Sequence, residues 1–220
     1  DFQDLWSKLT WHRDAPISEP ADIAIYQLAS QASSHVKVLL SGEGADELFA
    51  GYPKYAWAER VKAVDLLPAG LREAGFKALE RMIPRRAAKA RIALRAMAAR
   101  NESDRFQAWF APFTSYERDA LIDGEERAQH RAITARVQGD TIQRMLYNDC
   151  HAWLTDNLLE RGDRMAMAAS VESRPPFLDH ELVELAARLP SNVKLRGGAT
   201  KWVVKEVARR HLPASIVDRR

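Results

Sequence analysis

The stretch Val36-Lys37-Val38-Leu39-Leu40-Ser41-Gly42-Glu43-Gly44-Ala45-Asp46-Glu47-Leu48-Phe49-Ala50-Gly51-Tyr52 decides the fold class. Its first five residues are mostly β-branched or aliphatic and run into a glycine-containing turn, which predicts a short buried strand of a parallel sheet. Gly42 and Gly44 supply the backbone freedom for a sharp strand-to-helix corner. Asp46, Glu47 and Leu48 then open a helix whose first turn favours acidic side chains. In open α/β sheets, ligands bind outside the carboxyl ends of the strands, so Ser41, Glu43 and Asp46 are placed at a ligand-binding edge. Carboxylates crowded at one turn repel unless a cation or a cationic substrate group lies between them, and Mg²⁺, with its preference for carboxylate and phosphate oxygens, suits such a corner. A solvated corner without a ligand reads the same way from these residues alone.

Upstream, Ile23, Ile25, Tyr26, Leu28 and Ala29 recur at helical spacing, so Ala21 to Ala32 is predicted as the crossover helix that feeds the strand. Asp1 to Leu9 reads as a short amphipathic piece. Trp11 to Pro20 reads as loop, with Asp14, Pro16, Ser18 and Pro20 as turn formers. Downstream, Tyr55 to Leu67 is helical until Pro68, and Leu71 to Ile83 until Pro84. Phe106 to Tyr116, with Trp109, Phe110 and Phe113, is expected to bury against the core, and Asp123-Gly124 marks a turn. Asp140 is an N-cap candidate for a helix from Thr141 to Asn157 with Ile142, Met145, Leu146, Cys150, Trp153 and Leu154 on one face. Cys150 there is a core filler, since nothing local would activate its thiol. His180-Glu181 lacks the second histidine of a zinc-protease helix, and Asp179 reads as the N-cap of Leu182 to Leu189.

Two charged regions carry alternative readings. Arg81, Arg85, Arg86, Lys89, Arg91, Arg95 and Arg100 punctuate an Ala-rich helix with Ile92, Leu94 and Met97 as its apolar stripe. Such a helix suits a nucleic acid or a membrane surface, or is a solvated face packed by its apolar side; the missing aromatic interleaving favours the second. Glu160, Arg161, Asp163, Arg164, Glu172, Arg174 and Asp179 crowd around Pro175-Pro176, which forces extended backbone after Arg174. Either a buried ion-pair lattice shaping a pocket or a structural loop reads this way. Near the end, Gly197-Gly198-Ala199-Thr200-Lys201 is a turn entering a helix from Lys201 to His211, with Val203, Val204 and Val207 inward. A lysine at a helix start opposes the dipole, which is accounted for by an anion or by simple exposure, and the Walker spacing G-x-x-x-x-G-K-S/T is absent.

Ser41 to Tyr52 resembles the second signature of the synthetase domain of glutamine-dependent asparagine synthetases. A second block matches, Asp163-Arg164-Met165-Ala166-Met167-Ala168 and then Glu172-Ser173-Arg174-Pro175-Pro176-Phe177-Leu178-Asp179. A third has Lys194 after Leu189-Pro190, then Lys201-Trp202-Val203-Val204-Lys205, and closes on Leu212-Pro213. The resemblance runs in family order from Trp11 to Arg219. It implies an α/β fold in which residues 1–220 are a partial synthetase domain, the mostly helical C-terminal portion of an adenine-nucleotide alpha hydrolase-like (PP-loop ATPase) domain with a short parallel strand. It also implies an ATP-dependent ligase that joins ammonia to aspartate through a β-aspartyl-AMP intermediate. In that scheme Glu43 and Lys201 are catalytic and face one crevice, Ser41 and Gly42 contact the AMP part, and Asp46 holds Mg²⁺. Asp163, Arg164, Glu172 and Arg174 form or brace the aspartate site. The implied partners are aspartate, ammonia from glutamine and an N-terminal glutaminase domain, with room for a homodimer.

Departures from the pattern set limits. The family's pyrophosphate loop, Ser-Gly-Gly-x-Asp-Ser, does not occur, the one Gly-Gly being Gly197-Gly198, so the ATP site is expected to be incomplete and residues 1–220 inactive on their own. Ala45 stands where Gly or Ser is frequent, and Lys205 where Arg is frequent; neither removes an acid or a cation. A related amidotransferase or cyclase acting on another carboxylate, and a non-catalytic helical interaction domain, are the alternatives. Composition agrees with a globular chain, with 46% apolar residues and a formal net charge of +3 that is too small to argue for nucleic acid. One cysteine favours a reducing compartment, hence the cytoplasm. No run approaches the roughly twenty apolar residues of a membrane span. A start at Asp1, without methionine, suggests a piece of a longer protein.

Overall fold

The structure, a computed structural model, describes residues 2–17, 19–84, 86–110, 113, 121, 133 and 135–219. Ser18, Arg85, the Asp123-Gly124 turn and the 114–116 end of the aromatic segment lie outside the described residues. The chain divides into two compact units, one of residues 1–48 and 150–188, the other of 49–149 and 189–220.

In the first unit, α1 (Phe2–Arg13) and α2 (Pro20–Ala32) precede β1 (Val38–Leu40), and α3 (Ala45–Phe49) starts just after the corner. The helical run that enters this unit begins as a π-helical segment (Cys150–Leu159) and continues as α-helix (Glu160–Met167), here called α9. β2 (Glu172–Arg174), a 3-10 turn (Pro176–Leu178) and α10 (His180–Arg188) follow. β1 and β2 pair in parallel, with Val38 opposite Glu172, Leu39 opposite Ser173 and Leu40 opposite Arg174. The core of this unit lies on α9. Met165 packs with Leu9, Ile17 and Ile23, and Ala166 packs with Ala29 and Val171. Positions 165 and 166 thus serve α1 and α2, the two helices on which α9 rests.

The second unit is helical among its described residues. It contains α4 (Pro53–Val61), a 3-10 turn (Lys62–Leu66), α5 (Ala69–Met82), α6 (Ala88–Ala98), α7 (Glu102–Ala108) and α8 (Thr141–Asp149). Later come α11 (Ser191–Lys194), α12 (Trp202–Ala208) and α13 (Ala214–Val217). Its core joins Ala50, Tyr55, Ala58, Phe106, Ile142, Met145 and Leu146. The start of α8 is a reciprocal capping box. Gln143 N–H donates to Asp140 Oδ1 at 2.9 Å, and Asp140 N–H donates to Gln143 Oε1 at 2.9 Å. Prolines at 68 and 84 delimit α5 as the sequence predicts, because a proline N cannot donate within a helix.

Several local expectations are corrected. The strand is shorter than Val36 to Leu40 and is not buried: Val38 is 39% and Leu40 74% exposed, while the alternating Leu39 turns into the Ala29–Ala166–Val171 cluster. Trp11 to Arg13 is helix, not loop, because no breaker intervenes before Asp14, whose φ of +57° ends α1. Glu172 to Arg174, read as lattice or loop, is the second strand, in keeping with the extended backbone that a following proline demands. The Thr141 helix does not stop at Asn157 but runs on to Met167 through the π-helical segment. Phe113 and Val207, expected inside, are exposed.

Three residues of the basic run form ion pairs. Arg91 and Arg95 reach Glu80 at 3.0 and 2.7 Å, and Arg100 reaches Glu73 at 2.5 Å. These arginines therefore face the carboxylates of α5, the helix against which α6 packs.

Candidate active site

The corner after β1 is built by one hydrogen bond and one glycine. Ser41 N–H donates to the Arg174 carbonyl at 2.9 Å, which carries the parallel ladder one residue past the strand. That amide is therefore spent, and Ser41 keeps its hydroxyl and carbonyl for any ligand. Gly44 has φ of +86°, and a Cβ there would lie 2.3 Å from Leu178 Cδ2, so both the turn and the packing require glycine. Gly42 is different. It is exposed and nothing lies within 4 Å of the position its Cβ would take.

Glu43 is turned toward α9. Its Oε1 lies 3.6 Å from where a Gly162 Cβ would be, an ordinary van der Waals separation that brings the carboxylate alongside the α9 backbone. Its Oε2 is shut off from solvent with no hydrogen-bond partner. Burial raises the proton affinity of Glu43 above that of an ordinary glutamate, the positive charge of Arg161 opposes this, and the negative charge of Glu47 adds to it. A carboxylate whose proton affinity is raised in this way suits proton acceptance. Glu47, in the first turn of α3, is 1% exposed. Asp46 beside it is half-buried.

The remaining predicted residues are spread out. Asp163 is exposed on α9. Arg164 pairs loosely with Glu160 at 3.8 Å and lines an open groove of about 610 Å³ with residues Thr10 to His12 and Asp14 to Pro16. Glu172 and Arg174 project from the same side of β2 and pair with each other at 2.7 Å, both exposed. That mutual pairing holds Glu172 below the usual carboxylate range and raises Arg174. Lys201 belongs to the second unit, where it caps α12 with a left-handed φ of +51° after the Gly197-Gly198 turn.

The buried lattice foreseen among the charges exists, but its members differ. Arg161 and Glu160 belong to it; Asp163, Arg164, Glu172 and Arg174 do not. Asp22, 0% exposed, accepts from Arg13 Nη1 at 2.5 Å and lies 3.6 Å from Arg161 Nε. Arg161 Nη1 also donates to Glu19 at 2.5 Å, and Arg13 Nε lies 3.2 Å from Glu160. No local pattern singles out Asp22 or Arg13, because their partners on α9 are more than a hundred residues away.

All of residues 1–220 match the Asparagine synthase family. The chain belongs to that family. Asparagine synthetase (glutamine-hydrolyzing) 1 of Bacillus subtilis strain 168 is 31% identical over 226 residues, covering 100% of this chain and 35% of that protein. Asparagine synthetase (glutamine-hydrolyzing) 3 of the same organism is 28% identical, over 100% of this chain and 31% of the relative. Amidase chyE of Penicillium rubens is 28% identical over 84% of this chain and 31% of its own length. The chain thus spans about a third of the length of the curated relatives it matches. Its mostly helical structure with a parallel two-strand sheet, among the described residues, agrees with part of the family's adenine nucleotide alpha hydrolase-like domain.

The family uses ATP. Among the described residues no three His, Cys, Asp or Glu side chains cluster as a metal cage. A lone half-buried carboxylate such as Asp46 would hold Mg²⁺ only together with substrate phosphates and water. Among the described residues no helix is long and apolar enough to cross a membrane.

Proposed function

We propose that residues 1–220 are part of the synthetase domain of an ATP-dependent ligase that converts aspartate to asparagine, with ammonia supplied from glutamine by a glutaminase domain. The observation that carries this reading is the Glu43 carboxylate, held in the family's signature corner with one oxygen sequestered and unpartnered. In the first step the aspartate side-chain carboxylate attacks the α-phosphorus of ATP, a carbon–oxygen–phosphorus linkage forms and pyrophosphate leaves. Lys201 is assigned to neutralise the charge that grows on the phosphate oxygens. Mg²⁺, when bound at Asp46, supplies further neutralisation of phosphate charge. In the second step ammonia attacks the acyl carbon, AMP departs with the carbon–oxygen bond pair, and the surplus ammonia proton passes to Glu43. Ser41, through its hydroxyl, and Gly42, through its backbone, are assigned to the AMP part. Arg164, with Asp163, Glu172 and Arg174, is assigned to the aspartate side, where Arg164 is the cation with the weakest internal pairing of those four residues.

The test is amide formation by the full-length protein carrying Glu43→Gln, beside wild type, with thermal stability measured on both. A general base contributes on the order of 10² to 10⁴ in rate, so a loss of that size with an unchanged melting temperature is expected. Activity within about threefold of wild type removes Glu43 from the reaction.

The likeness to Amidase chyE supports a second reading, in which the same scaffold activates a different carboxylate. Pyrophosphate release that depends on aspartate favours the first reading; release that ignores aspartate favours the second.

A further inference from the structure

We propose that Asp22 is a positioning residue that acts on Glu43 through Arg161: by competing for the Arg161 guanidinium it limits how much of that charge reaches the Glu43 carboxylate, which meets α9 at the next residue, Gly162. The proposal rests on Glu43 having the role assigned above, and its geometry lies within one unit. Asp22 sits in the first turn of α2, fully buried, where an isolated carboxylate would be strongly disfavoured. It is made tolerable by two guanidinium groups from two other helices, Arg13 of α1 at 2.5 Å and Arg161 of α9 at 3.6 Å. The second contact lacks hydrogen-bond geometry on either atom, so it acts as charge against charge. Both arginines are shared with other acids, Arg13 with Glu160 and Arg161 with Glu19, and Arg13 Nη2 also donates to Asn157 at 3.4 Å. The result spans three helices and holds α9 at the residue immediately before Gly162.

Gly162 is where Glu43 meets α9. The charged groups acting on Glu43 are Arg161 from α9 and Glu47 from α3. Asp22 and Glu19 are the anions that face Arg161, so they determine how much of its charge Glu43 feels. Neutralising Asp22 leaves Arg161 with one anion in place of two, and its attraction for ionised Glu43 grows. Neutralising Arg161 does the reverse.

The experiment measures the proton affinity of Glu43 directly in the full-length protein. A water-soluble carbodiimide couples an amine to protonated carboxyls, and the pH midpoint of labelling on the Glu43 peptide is read by mass spectrometry. Asp22→Asn is expected to lower that midpoint. Glu19→Gln should lower it by less, since Glu19 is 39% exposed and screened by water. Arg161→Gln should raise it by about one pH unit, the lower end of what a nearby opposite charge does to a carboxyl. The acid limb of the amide-formation profile should follow the same order. Glu19→Gln disturbs only a partly exposed acid and keeps the test decisive if the Asp22 variant does not fold. Variants that lose thermal stability while the Glu43 midpoint stays put, or moves the other way, overturn the proposal. Midpoints that move as stated, with Glu43→Gln fully active, leave the positioning role standing and remove the catalytic assignment instead.

Discussion

Each unit buries an aspartate at the end of its solvent scale, Asp22 at 0% and Asp149 at 1% exposure, and each solves the charge in a different way. Asp22 is met by two arginines that are themselves divided among other carboxylates, so its charge is spread over α1, α2 and α9. Among the described residues Asp149 is met by Lys54 at 2.6 Å, together with the Tyr55 hydroxyl at 2.5 Å. The ammonium of Lys54 also stands over the Phe110 ring at 3.6 Å from its centroid, with the Tyr55 and Tyr52 rings at 5.2 and 5.6 Å. Burial raises the proton affinity of Asp149, and Lys54, Tyr55 and Asn148 oppose it. A network can lose one member and redistribute. Breaking a buried pair by removing one partner is the costlier change, because it takes away the charge that offsets the other's desolvation.

The largest effect follows from that contrast. Asp149→Ala removes the buried carboxylate that pairs with Lys54 and should cost about 3–5 kcal/mol in urea unfolding, whereas Lys54→Met combined with Asp149→Leu should recover most of the loss. A single variant that loses less than about 1 kcal/mol would show that water reaches the cage and that the two units do not differ in this way. The matching change in the network, Arg13→Gln, leaves Asp22 with Arg161 and is expected to cost about 1.5–3 kcal/mol, the range for hydrogen bonds to charged groups. If it equals or exceeds Asp149→Ala in the same titration, the idea of redistribution fails.

A third carboxylate sharpens the comparison through pH. Asp65 is 44% exposed and is held below the usual carboxylate range, first by its hydrogen bond from Arg105 and then by Arg72, with burial working against both. For a group whose folded pKa is depressed, the stabilisation is present above the unfolded value of about 3.9 and is lost as pH falls through the folded value. Asp149 has the opposite sign: with its folded value raised, falling pH adds stability from that group until the unfolded value is passed. Wild type and Asp65→Asn should therefore differ at neutral pH, by under about 1 kcal/mol given the solvent screening, and converge as pH falls from about 3.9 through the depressed folded value. Convergence on the alkaline side instead would reverse the assignment. The smallest effect is expected at Arg100, 72% exposed in its pair with Glu73, where Arg100→Ala should change the unfolding free energy by no more than about 0.5 kcal/mol.

Much of the candidate site was legible without coordinates, though not its surroundings. Gly44 had to be glycine for a corner after β1, and the structure adds the Leu178 side chain that also forbids a Cβ. Glu43 was legible as an acid at that corner, but not its turn toward Gly162, which depends on a residue well over a hundred positions away. The strand at 172–174 was not legible beyond the extended backbone that Pro175-Pro176 imposes after Arg174, since a three-residue strand is too short for alternation to show. The exposure of Val38 and Leu40 was also hidden, because an apolar run does not reveal how many of its faces are covered.

By itself the sequence determined the features that depend on neighbours a few residues apart. These are the proline-bounded α5, the capping box at Asp140, the cap at Asp179, whose Oδ1 accepts from Glu181 N–H at 3.1 Å, and the signature blocks that mark the family. Their physics is local: a missing N–H, a side-chain oxygen within reach of the first helical amides, a glycine with positive φ. Only the tertiary structure decided which charges are buried and which partner each one takes. Arg161 and Arg164 have the same chemistry and stand three residues apart on one helix, yet Arg161 is buried between Glu19 and Asp22 while Arg164 is half-exposed beside an open groove. Three residues along an α-helix turn a side chain by about 300°, and that rotation acquires meaning only when α1 and α2 have packed against one side of α9.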